Sequence, residues 1–179
     1  MAGKKNYREC LTTPFETGIR NFTTVAKYYM YYAPEIDSVQ SMGHLSTETS
    51  QRVYANLLEA ASFSGNGIIQ KQVKSTSWKK VSLEDEELDF EKSCFLCDQY
   101  KEETELHALL RHIRNAFAHG NLYVWRKKKG NYVFLVDHDA KKNRTTAKIM
   151  VSLAILEEWK AILENHIAIG EQNGKTNFR

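Results

Sequence analysis

The feature of this sequence that most limits how it can fold is a change of hydrophobic period at Gly120. Over residues 104–119, large apolar side chains recur every three or four positions. At about 100° per residue they fall within an arc of roughly 100°, which predicts an amphipathic helix ending at Gly120. Beyond it, the β-rich runs 122–125 and 132–136 flank a basic segment with glycine and asparagine, which predicts a hairpin.

Another helix is predicted near the beginning of the chain, over about residues 14–32. A capping-box pattern at 13–16 marks its start, and Pro34 prevents it from continuing much further. Its last turn carries the tyrosine-rich run of residues 28–32, which places tyrosines on several sides of the helix. Some of these rings are therefore expected to pack against another surface.

Three more elements follow from capping residues and apolar periodicity. A helix begins at Ser46 or Thr47 and stops near Gly65, since serine and threonine cap helix starts and glycine ends helices. Residues 145–150 predict a third strand after the hairpin, and Ser152 begins a final helix.

Length and composition indicate one domain. The chain has 179 residues, of which 42% are hydrophobic and 26% are charged, a balance typical of a globular protein. We expect a mainly helical bundle with a small antiparallel β insertion near 122–150, in one domain over residues 1–179 whose polar end, 170–179, is frayed. A net charge of +3 permits a nucleic acid partner without arguing for one.

Cysteine content and hydropathy predict a cytoplasmic protein. Three cysteines cannot form a complete disulfide framework, and the polar, basic N-terminus lacks the apolar region of a signal peptide. No stretch approaches the ~20 apolar residues that a membrane helix requires. A membrane partner is therefore not expected.

No metal or cofactor is expected either. Cys94 and Cys97 form a lone Cys-x-x-Cys without further ligands at a recognised zinc spacing, so buried thiols on a helix face are the favoured interpretation. Asp137, His138 and Asp139 resemble a run of metal ligands but lie at a strand end, where aspartate is common in turns. The sequence contains no Walker phosphate-binding loop, no Gly-x-Gly-x-x-Gly dinucleotide motif and no Gly-x-Ser-x-Gly motif of α/β-hydrolases.

The end of the helix at 104–119 carries the pattern Arg-Asn-x-x-x-His, formed by Arg114, Asn115 and His119. A shuffled chain of this composition would contain it only about 0.02 times. Histidine transfers protons near neutral pH, and the arginine fork binds phosphate oxygens. These are the roles needed when the 2′-hydroxyl of RNA attacks its neighbouring phosphorus. Asn115, at a spacing that lets it meet His119, would orient the imidazole or hold a phosphate oxygen.

The same residues have a structural interpretation. At an exposed helix end, Arg114 would pair with an acidic neighbour and His119 would cap helix carbonyls. Geometry also constrains a catalytic role, because side chains five positions apart point roughly 140° away from one another on an ideal helix. Either a two-fold dimer brings Arg114 of one chain to His119 of another, or loosening at Gly120 swings His119 back.

The motif segment resembles the Arg-x(4–6)-His motif of HEPN domains, including the polar residue that follows the arginine in many catalytic members. It is similar in particular to small HEPN proteins of prokaryotic plasmid and phage-defence neighbourhoods, in which the motif helix precedes a β-hairpin and a final helix. The resemblance covers chiefly residues 104–167. It implies a HEPN-type helical bundle that dimerises around a composite active site.

This resemblance implies a metal-independent endoribonuclease with RNA as substrate, in a toxin or antiphage role that an antitoxin or regulatory protein would restrain. His119 would act as general acid and base, Arg114 would stabilise charge on phosphorus, and Asn115 would position one of them. The products would carry 2′,3′-cyclic phosphate and 5′-hydroxyl ends.

Further basic residues are candidates for contact with the RNA backbone. One precedes the motif by a turn and the others lie on the hairpin: Arg111, Arg126, Lys127, Lys128 and Lys129. For the hairpin residues, a solvated turn that discourages aggregation is an equally good interpretation.

Two other functions remain open at this stage. One is a non-catalytic HEPN-like module that binds a nucleotide or a partner within a toxin–antitoxin pair. The other is a structural oligomerisation domain whose tyrosine-rich first helix forms the interface. Loss of RNA cleavage on substitution of the motif would separate the nuclease from both.

Overall fold

The computed structural model describes residues 18–35, 45–63, 69–74, 94–127, 130–141 and 143–175. In chain order its elements are α1 (Phe22–Lys27), a π-helical turn (Tyr28–Tyr32), α2 (Thr47–Phe63), β1 (Ile69–Lys74), β2 (Cys94–Gln99), α3 (Glu105–Ala118), β3 (Leu122–Lys127), β4 (Gly130–Asp139), β5 (Arg144–Ser152) and α4 (Leu153–Lys175).

The strands form one sheet in the order β1-β2-β5-β4-β3. β1 pairs with β2 in parallel, and every other neighbouring pair is antiparallel. The predicted hairpin and third strand are confirmed, but the expectation of a mainly helical bundle with a small β insertion is only partly right. Two further strands, β1 and β2, extend the meander into a five-stranded sheet that forms a layer of the fold beside the helices.

The two faces of the sheet have different surroundings. Val133 and Leu135 belong to the core shared with the helices, whereas Tyr132 and Phe134 belong to a separate cluster of buried residues. Side chains alternate between faces along a strand, so Asp137 continues the row of Val133 and Leu135. The alternation thereby brings a carboxylate onto the face that packs against α3.

Two buried hydrogen bonds attach α4 to the other helices. Trp159 donates from its indole Nε1 to the carbonyl of Leu57 at 2.7 Å, and the hydroxyl of Tyr29 donates to the carbonyl of Leu156 at 2.9 Å. The serine cap predicted for α4 is confirmed, because Ser152 Oγ accepts the N–H of Ile155 at 3.2 Å. The helix continues to Lys175, and fraying of residues 170–179 stays a prediction.

The helix predicted over 14–32 is shorter at its start. Gly18 and Asn21 have positive φ values of 58° and 66°, so the helical path begins only at Phe22. Residues 14–17 and the capping box lie outside the described residues. The end is as predicted, at Tyr32, where the backbone becomes extended before Pro34.

The helix predicted to begin at Ser46 or Thr47 is confirmed as α2. Ser46 Oγ accepts the N–H of Thr49 at 3.2 Å, which makes serine the capping residue.

The interpretation of Cys94 and Cys97 as thiols on a helix face is wrong, because both residues lie in β2. A short apolar run has no period that separates helix from strand, and pairing of Phe95 with Ile149 in β5 decides for the strand. Cys97 is a buried free thiol, and burial raises its pKa well above the ordinary range.

Candidate active site at the end of the motif helix

The motif helix α3 begins where the sequence predicts. Thr104 is its N-cap, and its side-chain oxygen accepts the N–H of His107 at 3.2 Å. The apolar arc is buried as expected, and the ring of Phe117 near the helix end stacks on Tyr29 with ring centroids 6.2 Å apart. The core thus holds the helix along its length up to the motif.

A glycine turn ends α3 and defines the geometry of the motif. Gly120 has a φ of 67°, a conformation that suits glycine, and its N–H donates to the carbonyl of Phe117 at 3.2 Å. The N–H of Asn121 donates to the carbonyl of Ala116 at 2.9 Å, which completes a Schellman motif. The carbonyl of Asn121 in turn accepts the N–H of Val136 at 2.9 Å, so the turn is bonded to β4.

His119 is the last residue on the helical path. Its N–H donates to the carbonyl of Asn115 at 2.9 Å, and its φ and ψ are −91° and 0°. Helical bonding therefore persists through His119, without the loosening that would swing it back. The side chain is exposed, and no hydrogen bond or ion pair joins its imidazole to any residue that the structure describes.

Arg114 and Asn115 are bonded to each other and to the sheet. Arg114 Nη1 donates to Asn115 Oδ1 at 3.2 Å, and Asn115 Nδ2 donates to Asp137 Oδ2 at 3.2 Å. Among the described residues, Arg114 therefore contacts an amide oxygen rather than the acidic neighbour of the structural interpretation. Asn115 uses its side chain to connect Arg114 with β4.

Behind this pair lies a fully buried histidine, His112, which the sequence analysis did not include in the site. Its Nδ1 lies 2.7 Å from Asp137 Oδ2, and its Nε2 lies 2.9 Å from the backbone carbonyl of Asp98. Ionised carboxylates and carbonyls only accept hydrogen bonds, so both ring nitrogens donate and the imidazole carries its second proton. Asp98 Oδ1 adds a further negative charge 3.2 Å from Nε2.

The pKa directions agree with an imidazolium between carboxylates. Burial by itself would lower the pKa of His112, but hydrogen bonds to Asp137 and Asp98 outweigh burial and raise it. Burial would raise the pKa values of both aspartates, and the hydrogen bonds and positive charge of His112 lower them instead. The buried charges therefore stabilise one another.

Arg111, a predicted RNA contact, is bound inside the protein. Its Nε and Nη2 donate to the two carboxylate oxygens of Glu103 at 2.6 and 2.9 Å, and its guanidinium lies 4.3 Å from the ring centroid of Tyr100. Nη2 also lies 3.5 Å from Asp98 Oδ1. An RNA phosphate would have to compete with this paired geometry.

The other predicted RNA contacts lie on the hairpin. Arg126 and Lys127 pair through their backbones with Asn131 and Gly130 of β4. Lys128 and Lys129 lie outside the described residues. Contact between these basic residues and RNA stays a prediction.

Among the described residues, no group of three or more His, Cys, Asp or Glu side chains could hold a metal ion. The turn interpretation of the Asp137–His138–Asp139 run holds only for its end, where Asp139 Oδ1 accepts the N–H of Lys141 at 3.0 Å. Asp137 is instead buried against α3. No helix within the described ranges has both the length and the apolar character needed to cross a bilayer.

The residues that sequence reasoning missed, Asp98, Glu103, His112 and Asp137, come from different elements. The available signal was a histidine on α3 three positions after Leu109, about 60° outside the apolar arc. A polar side chain that is buried there requires a partner, but nothing in the sequence identifies which strand supplies it.

Comparison with known families gives one clear finding. The family model described as HEPN pEK499 p136 matches residues 40–167, well over half of the chain. The matched stretch contains α2, the whole sheet, α3 with its Arg-Asn-x-x-x-His pattern, and the beginning of α4. No curated protein and no solved structure matches the chain.

Proposed function

The chain belongs to the HEPN family, and on that premise we propose that it is a metal-independent endoribonuclease. Family membership by itself suggests a nuclease, RNA-related or toxin–antitoxin role. The proposal goes further because one helix end presents both an anion-binding group and an exposed proton carrier, Arg114 and His119. This pairing at the end of α3 is the observation that carries the proposal.

The chemistry requires two proton transfers and stabilisation of charge. The 2′-oxygen forms a bond to phosphorus as it loses its proton, and the bond from phosphorus to the 5′-oxygen breaks as that oxygen gains one. His119 accepts the proton that the 2′-oxygen loses and delivers a proton to the departing 5′-oxygen. Arg114 donates paired hydrogen bonds to the oxygens of the five-coordinate phosphorus. The products carry 2′,3′-cyclic phosphate and 5′-hydroxyl ends.

The active site is proposed to be shared between two copies of the chain. HEPN domains often act as dimers, and Arg114 and His119 leave a helical path about 140° apart. In a two-fold dimer, Arg114 of one protomer would meet His119 of its partner, and each dimer would contain two such sites. The helical bonding that continues through His119 supports this arrangement.

The basic hairpin residues are proposed to guide the RNA backbone, whereas Arg111 is left out because Glu103 already binds its guanidinium. Replacing Lys127, Lys128 and Lys129 with glutamine should flatten the salt dependence of RNA binding, since fewer counterions are released. An unchanged slope would remove these lysines from the RNA-binding surface.

In the cell, we propose a toxin or antiphage role in the cytoplasm, with a partner that restrains cleavage. This setting follows from the toxin–antitoxin pairs in which HEPN domains often act. Cleavage of cellular RNA would need such a restraint, because an exposed catalytic histidine has no internal block among the described residues.

The test is cleavage of a labelled RNA in the presence of EDTA. The wild-type protein should cleave it, and the new 5′ ends should accept phosphate from a polynucleotide kinase without prior dephosphorylation. His119→Ala and Arg114→Ala should each lower the rate by about a hundredfold or more, while circular dichroism and the melting temperature stay near those of the wild type.

Matched control positions are available elsewhere among the described residues. His138→Ala and Arg52→Ala each remove an exposed side chain of the same type outside the motif, and both should cleave at the wild-type rate. If the motif variants cleave as well as these controls, the nuclease proposal is wrong and a non-catalytic HEPN module becomes the better description.

Mixing the two inactive variants tests the shared site. In a dimer of Arg114→Ala with His119→Ala, one of the two sites would receive both intact residues. With random exchange of subunits, activity should recover to about a quarter of the wild-type value. Recovery would be absent if each chain contained its own complete site.

A further inference from the structure

A continuous line of hydrogen bonds joins the core to the motif. His112 donates to Asp137 Oδ2 at 2.7 Å, and the same oxygen accepts Asn115 Nδ2 at 3.2 Å. Asn115 then presents its Oδ1 to Arg114 Nη1 at 3.2 Å. Along this line, His112 and Asp137 are connected to Arg114 only through the side chain of Asn115.

The chemistry of the groups gives this line a direction. A side-chain amide has a donor end and an acceptor end, and an ionised carboxylate can only accept. Asp137 therefore holds the NH₂ group of Asn115 inward, which leaves the amide oxygen facing Arg114. Without that carboxylate, the amide could turn and present its NH₂ group to the guanidinium, where two donors would repel.

The carboxylate of Asp137 is itself held in place by buried groups. Asp137 is buried, and His112 is fully buried and bonded on its other side to the backbone carbonyl of Asp98. The three groups come from β4, α3 and β2, so the position of Asp137 Oδ2 depends on packing between the sheet and the helix. A side chain anchored in this way has little freedom to move.

We propose that Asp137, anchored by His112, is a positioning residue that orients the guanidinium of Arg114 toward the scissile phosphate by acting through the amide of Asn115. This inference rests on the proposed ribonuclease function. Asp137 contributes no proton and touches no substrate. Its effect is confined to how well Arg114 is placed when charge develops on phosphorus.

The test is a double-mutant cycle on RNA cleavage in EDTA. Asp137→Ala and Asn115→Ala should each lower kcat by roughly tenfold to a hundredfold with little change in KM, since a small misplacement of a catalytic group costs this much. The double variant should be no slower than the slower single variant, because Asp137 acts only through Asn115. If the fold-loss of kcat in the double variant equals the product of the two single-variant losses, the proposal is overturned.

A control variant separates positioning from loss of stability. Arg144→Gln removes the 2.7 Å ion pair with Asp98 at the far side of the same network and leaves Asp137 and Asn115 in contact. It should lower the melting temperature while kcat stays within about twofold of the wild type. If kcat falls in proportion to stability in both Arg144→Gln and Asp137→Ala, the role of Asp137 is structural and the proposal is overturned.

A paired variant covers the case in which Asp137→Ala does not fold. His112→Phe with Asp137→Leu removes the buried charge together with its partner, which is far less costly than removing one of them. This variant should fold and show the same loss of kcat. A folded paired variant with wild-type kcat would overturn the proposal.

Nitrogen NMR of the arginine side chains distinguishes failure of this inference from failure of the proposed function. In the wild type, the Arg114 guanidinium should rotate slowly, and Asp137→Ala should speed its rotation while Arg111 stays slow. If the wild type does not cleave RNA but this change occurs, the nuclease proposal fails and the positioning contact stands. If the Arg114 guanidinium rotates at the same rate in the wild type and in Asp137→Ala, the positioning inference fails whatever the activity.

Discussion

Arg111 and Arg114 lie one turn apart on α3, yet they have different surroundings. Arg111 forms a paired ion bridge with Glu103, lies over the ring of Tyr100 and approaches Asp98. Arg114 is half-buried, and its bonding partner among the described residues is the uncharged amide of Asn115. The carboxylates of Glu103 and Asp98 compensate the positive charge of Arg111, whereas the neutral amide orients the guanidinium of Arg114 without compensating its charge.

His112 and His119, two of the histidines on this helical path, show the same contrast. His112 is fully buried and donates from both ring nitrogens, whereas His119 is exposed at the helix end. A histidine that holds its proton between two acceptors stabilises the fold, and a histidine in solvent can exchange its proton during a reaction. Stability and activity should therefore respond to different residues of one helix.

The largest expected effect on stability is at His112. His112→Ala leaves the carboxylates of Asp98 and Asp137 buried without their shared partner and should lower the free energy of unfolding by about 4 kcal/mol. His119→Ala should change it by less than about 0.5 kcal/mol, as exposed substitutions usually do. Urea unfolding of both variants measures the difference, and equal losses would contradict the contrast.

The arginine pair should show the next largest difference. Arg111→Leu leaves Glu103 without its bidentate partner and should cost about 3 kcal/mol of unfolding free energy. Arg114→Leu should cost less than about 1 kcal/mol, because it removes a single hydrogen bond to an amide. RNA cleavage should show the reverse order, with the greater loss in Arg114→Leu.

A smaller effect should appear as a dependence of stability on pH. The raised pKa of His112 means that its contribution is complete below about pH 6.5 and is lost as the pH rises through its folded value. Because the pKa values of Asp98 and Asp137 are lowered, the stability that these two carboxylates contribute is complete above about pH 4 and is lost on acidification. Charged Arg111 also faces this cluster and opposes protonation of His112.

Stability should therefore be greatest between about pH 4 and 6.5 and decline on the alkaline side. The paired variant His112→Phe with Asp137→Leu should show a smaller alkaline decline than the wild type. Thermal unfolding across this pH range provides the measurement, and identical profiles for the two proteins would show that the pair does not titrate as described.

The smallest expected effect is at Tyr100, which is half exposed and covers the guanidinium of Arg111. Tyr100→Leu removes the cation–π contact and should lower unfolding free energy by about 0.5–1 kcal/mol. Arg111 keeps its bonds to Glu103, so RNA cleavage should not change. A loss of cleavage in this variant would show that the surface around Arg111 and Tyr100 also contributes to the RNA site.

Much of the fold could be predicted because its signals are local. The serine caps of α2 and α4, the threonine cap of α3 and the turn at Gly120 each act within a few residues. Strands β1 and β2 were missed because their parallel pairing joins residues 69–74 to 94–99 across an intervening segment. Pairing between segments far apart in the chain does not change the hydrophobic pattern of either strand alone.

The residues of the candidate site likewise divide into those that a local pattern identifies and those that only tertiary contacts identify. Arg114, Asn115 and His119 could be found because they lie within one helical turn or two and form a recognisable pattern. Asp98 and Asp137 could not, since a carboxylate at a strand end is ordinarily assigned to a turn. The turn interpretation failed for Asp137 because strand alternation directs it toward α3.

The sequence by itself determined the motif helix, its two ends and the order of the residues it carries, because caps, helical period and the glycine turn depend on neighbours in the chain. Only the tertiary structure decided that Arg111 is paired with a carboxylate and Arg114 with an uncharged amide. That outcome depends on which carboxylates the sheet and the loop before α3 bring to each guanidinium. Charge pairing acts through space, so the chain must fold before the two arginines differ.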